Sequence, residues 1–431
     1  MNPTFTRRQF VRNLAASAVA GPLIVSGTTL GRDGGVAASE RITLGCIGVG
    51  GQGTANLMAF LRDPRIQVVA VCDVDREHRA NALAAASLTE AEGFNDFREV
   101  TGRADVDAVS ICTPDHWHAI PVIEAAYAAK DIFCEKPLSL TLAEGKRMVE
   151  AVRETGRVFQ TGTWRRSREK VRRACELVRN GRIGHLHTIH ARVPEGYAIR
   201  GGDFAGPQPE MPVPDGFDYN LWLGPAPDAP YTAGRCHFNF RWILDYSAGY
   251  ITDWGAHYYD VAQWGNGTDD TGPVEIEGTA EFPTGALYNA SIKHRIEYTY
   301  ANGVKLIAAT TLDPAEYGVR FEGSEGWIWV ENEALKASSK AIEESEIGAN
   351  EIHLYLSEDH HKNFVDKILD RGETAAPVEI GHHSAAICHL GHIATMLKRP
   401  LTWDPAKQEF PGDAEANAMR ARKMRGPWVL G

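Results

Sequence analysis

An apolar run from Arg41 to Val49 leads without a break into Gly48, Val49, Gly50, Gly51, Gln52 and Gly53, and then into a helix-forming segment, Thr54 to Leu61. A G-x-G-x-x-G element between strand and helix constrains the chain more than any other feature. Its glycines permit a tight turn, close approach of backbone to a pyrophosphate and close helix-on-strand packing, while the exposed amides at the helix start attract phosphate. Asp73, 20 residues beyond Gly53 and at the end of the apolar run Ile66 to Cys72, is placed to accept hydrogen bonds from ribose hydroxyls. An acid there repels a 2'-phosphate and so favours NAD over NADP; Arg76 and Arg79 downstream are the cations that work against that preference.

Short apolar runs continue to alternate with Ala/Leu/Glu-rich segments. Ala108 to Thr113, Asp131 to Glu135 and Val158 to Thr161 read as further buried strands, and Ile120 to Ala129 and Leu142 to Thr155 as helices, the alternation of a parallel sheet. After Thr161 the texture changes. A basic helix, Ser167 to Asn180, precedes alternating segments at Glu275 to Glu281, Asn289 to Thr299, Val304 to Thr311, Val319 to Glu322 and Gly326 to Val330, which predict a mainly antiparallel open sheet. Residues 201–230, dense in Gly, Pro and Asp, read as an irregular surface excursion. His360 to Asp370 and His383 to Lys398 read as helices. The expected organisation is a leader over 1–39, a dinucleotide-binding domain over 40–161, a substrate and oligomerisation α/β domain over 162–380, and a C-terminal helix and tail over 381–431.

Lys and Arg number 45 against 56 Asp and Glu, a net charge of −11 with the two signs interspersed, so no basic face is offered to nucleic acid. The seven cysteines form no C-x-x-C pair and read as small buried hydrophobes. Thr6, Arg7, Arg8, Gln9, Phe10, Val11 and Arg12 precede a mild apolar run from Leu14 to Val25, the pattern of a twin-arginine export signal. That run is short and alanine-rich for a membrane span. The expectation is a protein exported to the periplasm or cell envelope with no stable span in its mature form.

Thr113, Pro114, Asp115, His116, Trp117 and His118 close one predicted strand, and Glu135, Lys136 and Pro137 close the next, at the edge where a doubly wound sheet holds its ligand. Together with the Gly-rich element, Gln160 to Gly162, Gly181 to Gly184, and Asp253, Trp254, Gly255, Ala256 and His257, they carry a resemblance covering about residues 41–430. The chain resembles the glucose–fructose oxidoreductase / inositol dehydrogenase / MocA family. That resemblance implies a Rossmann domain followed by an α/β domain with a large, mainly antiparallel open sheet. It also implies a sugar or polyol substrate between that sheet and the nicotinamide, and a homodimer or homotetramer formed through the sheet. On it, Lys136 corresponds to the lysine of the family's E-K-P motif, and Asp253 with His257 to its D-x-x-x-H pair.

The chemistry suits these residue types. Hydride leaving a carbinol carbon requires that the hydroxyl lose its proton, so a base and a cation must be near. His257 is the expected base, Asp253 four residues earlier is placed to orient substrate or ring, and Lys136 is the expected cation or proton relay. Gly48, Gly50, Gly51, Gln52, Gly53, Asp73, Thr113, Pro114, His118, Glu135 and Lys136 are the expected cofactor contacts. Trp164, Arg165, Tyr197, His237 and Arg241 are candidate sugar contacts, since aromatic faces and guanidinium forks suit carbohydrate. No metal site is expected, and His116, His118, His382, His383, His389 and His392 read as polar-loop or satisfied buried histidines. An NAD(P)-dependent oxidoreductase acting on a sugar hydroxyl is the leading expectation. A redox-neutral glycoside hydrolase or lyase using bound NAD, and a non-catalytic binding module, are the alternatives. Export implies a tightly held nicotinamide, because no useful pool of free NAD exists outside the cytoplasm.

Overall fold

Short buried strands dominate the first part of the chain because their side chains are apolar on both faces, which only a sheet covered on two sides accommodates. The structure, a computed structural model, describes residues 36–37, 40–196 and 206–431. The segment Thr6–Val25 and Tyr197 therefore lie outside the described residues. One compact unit spans Ile42–Gly431; of the residues before it, Arg41 donates to the carbonyl of Val36.

Six parallel strands, β1 (Ile42–Ile47), β2 (Ile66–Cys72), β3 (Gly93–Phe94), β4 (Ala108–Ile111), β5 (Asp131–Cys134) and β6 (Phe159–Thr161), lie in the order β3-β2-β1-β4-β5-β6. This is the doubly wound order whose strand-order reversal beside β1 leaves a crevice at the carboxyl ends of the strands. The connecting helices are α1 (Gly51–Phe60), α2 (Arg76–Ala86), α3 (Ala119–Tyr127) and α4 (Leu142–Thr155). Local chemistry sets their ends: Asp75 accepts from the amides of Glu77 and His78 at the start of α2, and Thr141 caps α4, which stops at left-handed Gly156.

The second sheet has eight strands: β7 (Leu186–Pro194), β8 (Glu275–Glu281), β9 (Lys293–Thr299), β10 (Lys305–Thr311), β11 (Gly318–Gly323), β12 (Gly326–Glu331), β13 (Ala334–Ala337) and β14 (Leu401–Thr402). Their order is β13-β12-β11-β7-β10-β9-β8-β14, antiparallel except where β10 lies parallel to β7. The expected fold class, a parallel-sheet domain followed by a mainly antiparallel one, is the observed one. One face of this sheet packs its alternate apolar residues, among them Ile189, Val319, Phe321, Ile328 and Val330, with Tyr258, Val261, Ile387 and Leu390. These come from the two helices α8 (Gly255–Asn266) and α9 (Val378–Leu397), and α5 (Glu169–Arg179) adds Val171, Leu177 and Val178 to the same core; α8 is preceded by α7 (Tyr250–Asp253) and, earlier, α6 (Tyr219–Leu223).

The excursion is irregular and largely exposed over residues 206–216, as expected, and departs from that character beyond them. Phe217, Tyr219, Trp222 and Leu223 are buried in an aromatic cluster with Phe240, Trp242, Tyr246 and Tyr250, and α6 gives the segment regular structure. The tail also folds back. Arg422 donates to Glu144 at 2.6 Å and to the carbonyl of His116 at 2.6 Å, and Trp428 meets Trp117 edge-on at 4.7 Å. All seven cysteines are free thiols. Among the described residues no helix is long and apolar enough to cross a membrane.

Candidate active site

Gly48 turns with φ +77°, and a Cβ there would stand 2.6 Å from the Cys112 carbonyl oxygen. At Gly53 a Cβ would fall 1.9 Å from the carbonyl oxygen of Gly48, so helix and turn meet at a distance only glycine permits. Gly51, by contrast, has nothing within 4 Å of its Cβ position. No side chain caps α1 and no acid occupies its first turn, leaving its amides and partial positive charge directed at open space. Asp73 accepts from the amides of Val49 at 2.8 Å and Asp75 at 2.9 Å, and lies 3.6 Å from His78 Nδ1. That carboxylate draws the His78 imidazole above its ordinary pKa against the effect of burial. Open helix amides, a cleared glycine and an acid at the end of β2 fit a dinucleotide: residues 48–53 would hold its pyrophosphate and Asp73 its adenosine ribose.

The opposite wall starts where β5 ends. Glu135, 6% exposed, accepts from Asn56 Nδ2 at 3.0 Å and Gln52 Nε2 at 3.4 Å, tying the strand end to α1. A Cβ at Gly162 would come within 2.6 Å of that carboxylate, so the glycine after β6 makes room for it. Lys136 Nζ donates to Asp253 Oδ1 at 2.6 Å and to its carbonyl at 3.0 Å, and Arg241 Nε donates to the same Oδ1 at 3.1 Å. Burial alone would raise the Asp253 carboxyl, but the two cations outweigh it and hold it well below the usual carboxylate range. The fixed carboxylate in turn orients the ammonium.

His257 stands one short helix on. Burial pushes its imidazole well below its ordinary pKa, and the charges of Lys136 and Arg165 push it further, so it is uncharged near neutrality. Its ring meets Trp164 edge-on at 5.7 Å, and its buried Nδ1 has no hydrogen-bond partner in the structure. Arg165, 4% exposed, lies over Tyr258 with its guanidinium bonded to Asn332 and 3.4 Å from Glu331. Asp115, buried beside these cations, is raised by desolvation to about 7.

One cavity of about 760 Å³ joins both walls. It is lined by Gly48, Gly50, Gly51, Gln52, Gly53, Asp73, Thr113, Pro114, Glu135, Lys136, Trp164, Arg165, Arg241, Asp253 and His257. His118 does not line it. Both its ring nitrogens lie 2.8 Å from backbone carbonyls, those of Pro137 and Thr113, so it ties the two strand-end loops together from behind. His237 lines the cavity at the Asp73 end, 3.8 Å from Asp75, and not beside Lys136. Asp253 and His257 are not paired with each other, because the carboxylate turns to Lys136 and Arg241. Asp115, Tyr250, Glu331 and Asn332 also line the cavity and were not singled out as ligand contacts from sequence. Asp115 sits inside the T-P-x-x-x-H motif, a signal that was available; Glu331 and Asn332 arrive from a strand end with no local signature. Among the described residues Asp75, His78 and His237 bring side-chain ligand atoms within 4.8 Å of one another, a grouping that only the tertiary fold creates.

Residues 42–163 match the family described as an oxidoreductase family with an NAD-binding Rossmann fold, and residues 167–430 match its C-terminal alpha/beta domain. An uncharacterized oxidoreductase, YrbE, of Bacillus subtilis is 35% identical over 159 residues, 36% of this chain and 46% of that protein. Inositol 2-dehydrogenase of Salmonella typhimurium is 33% identical over 150 residues, 34% of this chain and 44% of that protein. These alignments thus span under half the length of each relative. A levoglucosan dehydrogenase solved in complex with NADH and levoglucosan is similar in fold at 18% identity, with a TM-score of 0.62 over 84% of this chain and 99% of that one. Matched in both its domains, with a glycine cradle open to phosphate in the first and an ion-paired lysine facing it, the chain belongs to the glucose–fructose oxidoreductase / inositol dehydrogenase / MocA family of oxidoreductases.

Proposed function

We propose that the protein is an NAD-dependent dehydrogenase of a sugar or polyol, taking hydride from a hydroxyl-bearing carbon. One observation carries the reading: a carboxylate-fixed ammonium and an uncharged imidazole line the same cavity as the phosphate-ready glycine turn. A bound nicotinamide supplies the hydride acceptor. Lys136 Nζ, held by Asp253, donates to the substrate oxygen and stabilises the charge that develops there. His257, already deprotonated, accepts the hydroxyl proton. Trp164, Arg165 and Arg241 offer an aromatic face and guanidinium donors to further hydroxyls. The sugar dehydrogenases among its relatives and fold neighbours support this substrate class. NAD is preferred over NADP, on the position of Asp73.

The proposal has two further parts. The Arg7–Arg8 pattern and the apolar run after it support export by the twin-arginine route, and export supports a nicotinamide that is tightly held and recycled on the enzyme. A homodimer or homotetramer through the second sheet is supported by the face of β12 that carries Trp327 and Trp329, opposite the buried Ile328 and Val330.

The test is mass spectrometry of ligand released from denatured protein, followed by a sugar and polyol panel read at the nicotinamide absorbance band. Released NAD(H) and a panel member that reduces it are expected. A protein that needs millimolar added NAD would overturn tight retention. Nitrophenol freed from aryl glycosides without net NADH change would replace oxidation by redox-neutral cleavage.

A further inference from the structure

Resting on the dinucleotide reading above, the geometry points to residues 214–241 of the second domain as the outer wall of the adenosine subsite, a wall whose opening controls cofactor release. The segment is fastened to the first domain chiefly at the loop after β2. The amide of Arg76 donates to the carbonyl of Gly216 at 2.9 Å, the amide of Asp218 donates to that of Val74 at 2.9 Å, and Asp75 and Phe217 form an antiparallel bridge. Asn95 Nδ2 donates to Asp218 Oδ2 at 2.9 Å, while the other oxygen of that carboxylate caps α6. Trp117 Nε1 reaches the carbonyls of Leu221 and Trp222 at 3.1 and 2.9 Å. The loop after β2, which carries the ribose-binding acid, is therefore held by backbone bonds to a segment of the other domain.

What this segment presents to the cavity suits an adenosine. Phe217, Leu221 and Phe238 line it together with Phe97 of the first domain, supplying apolar surface for a purine, and Asp73 and Asp75 supply acceptors for ribose hydroxyls. His237, at φ +54°, adopts a backbone conformation that side-chain-bearing residues seldom take. There its ring lies 5.4 Å from that of Phe217 and 5.2 Å from that of His78, and His78 itself stands against Gly50. A ligand seated between the cradle and this wall is enclosed by two domains, and its departure requires the contacts at Gly216, Phe217 and Asp218 to part. Enclosure of this kind slows dissociation more than association.

The experiment loads the full chain with NADH and follows its displacement by excess NAD through loss of NADH fluorescence. Phe217→Ala/His237→Ala is expected to release NADH at least tenfold faster than the parent, with circular dichroism checking the fold. Asp75→Cys/Phe217→Cys, oxidised across the bridge, is expected to release it at least tenfold more slowly than the same variant after reduction with dithiothreitol. The crosslink carries the test by itself if the double alanine variant does not fold. Release from the oxidised protein within twofold of the same variant reduced overturns the inference while leaving the cofactor reading standing. A parent chain that binds no NADH overturns both.

Discussion

Lys136 has one carboxylate, Asp253, that both neutralises and aims it, and that carboxylate is shared with Arg241. Replacing Lys136 by Ala removes the donor to the substrate oxygen and leaves the cradle untouched. Turnover is expected to fall by about 10²–10³-fold, the usual weight of one donor aimed at a developing oxyanion, with NADH binding retained in a fluorescence titration. Retained turnover would remove Lys136 from the chemistry. Arg166 is a contrasting case: at 3% exposure it pairs with fully buried Asp260 at 2.8 Å and with Asp269 at 2.7 Å, away from the cavity lining. Arg166→Ala strands a buried carboxylate and is expected to cost about 3–5 kcal/mol of stability, seen as a lowered denaturation midpoint. The sequence named Lys136, Asp253 and His257 because motif spacing is local information. It placed Asp253 to orient substrate or ring, and did not foresee that the carboxylate turns to Lys136 and Arg241. The partners Asp253 takes instead lie on segments 117 residues earlier and 12 residues earlier in the chain.

Among elements, the strand–turn–α1 unit is the part most legible beforehand, since a turn that tight excludes every residue but glycine at two of its positions. Gly53→Ala would drive a methyl group into the Gly48 carbonyl and is expected to abolish NADH binding or the fold itself. Gly51→Ala meets nothing in the protein. Its thermal midpoint should stay within a few degrees of the parent, and any loss of NADH affinity would report a ligand occupying that space. The two-residue strands Gly93–Phe94 and Leu401–Thr402 are too short to show a period. The excursion was opaque for a different reason: Phe217, Tyr219 and Trp222 are buried by one another and by a surface that exists only once both domains are folded, so no periodicity announces them.

Across the whole molecule, burial keeps a set of histidines besides His257 neutral: His116, His294 and His360 are lowered to about 3, and His382, His389 and His392 to about 4. Unfolded, each takes up a proton near its ordinary value of about 6.5. Below that pH the unfolded chain binds more protons than the folded one, so stability is lost as pH falls from about 6.5 toward 4, by up to about 1.4 kcal/mol per pH unit per histidine. Thermal melts are expected to be level between pH 7 and 8 and to shift steeply downward between pH 6 and 5; a level midpoint across that interval would contradict the burial. Domain order and sheet class were readable from alternating apolar runs, whereas contacts between distant segments were not.

The return of Arg422 to the carbonyl of His116 spans 306 residues. During synthesis an amino-terminal domain folds as soon as it emerges, yet here the loop ending β4 lacks this anchor until Arg422 has been made. The nascent first domain must therefore wait on the ribosome with one corner unfastened, and a segment made 306 residues later acts as its latch.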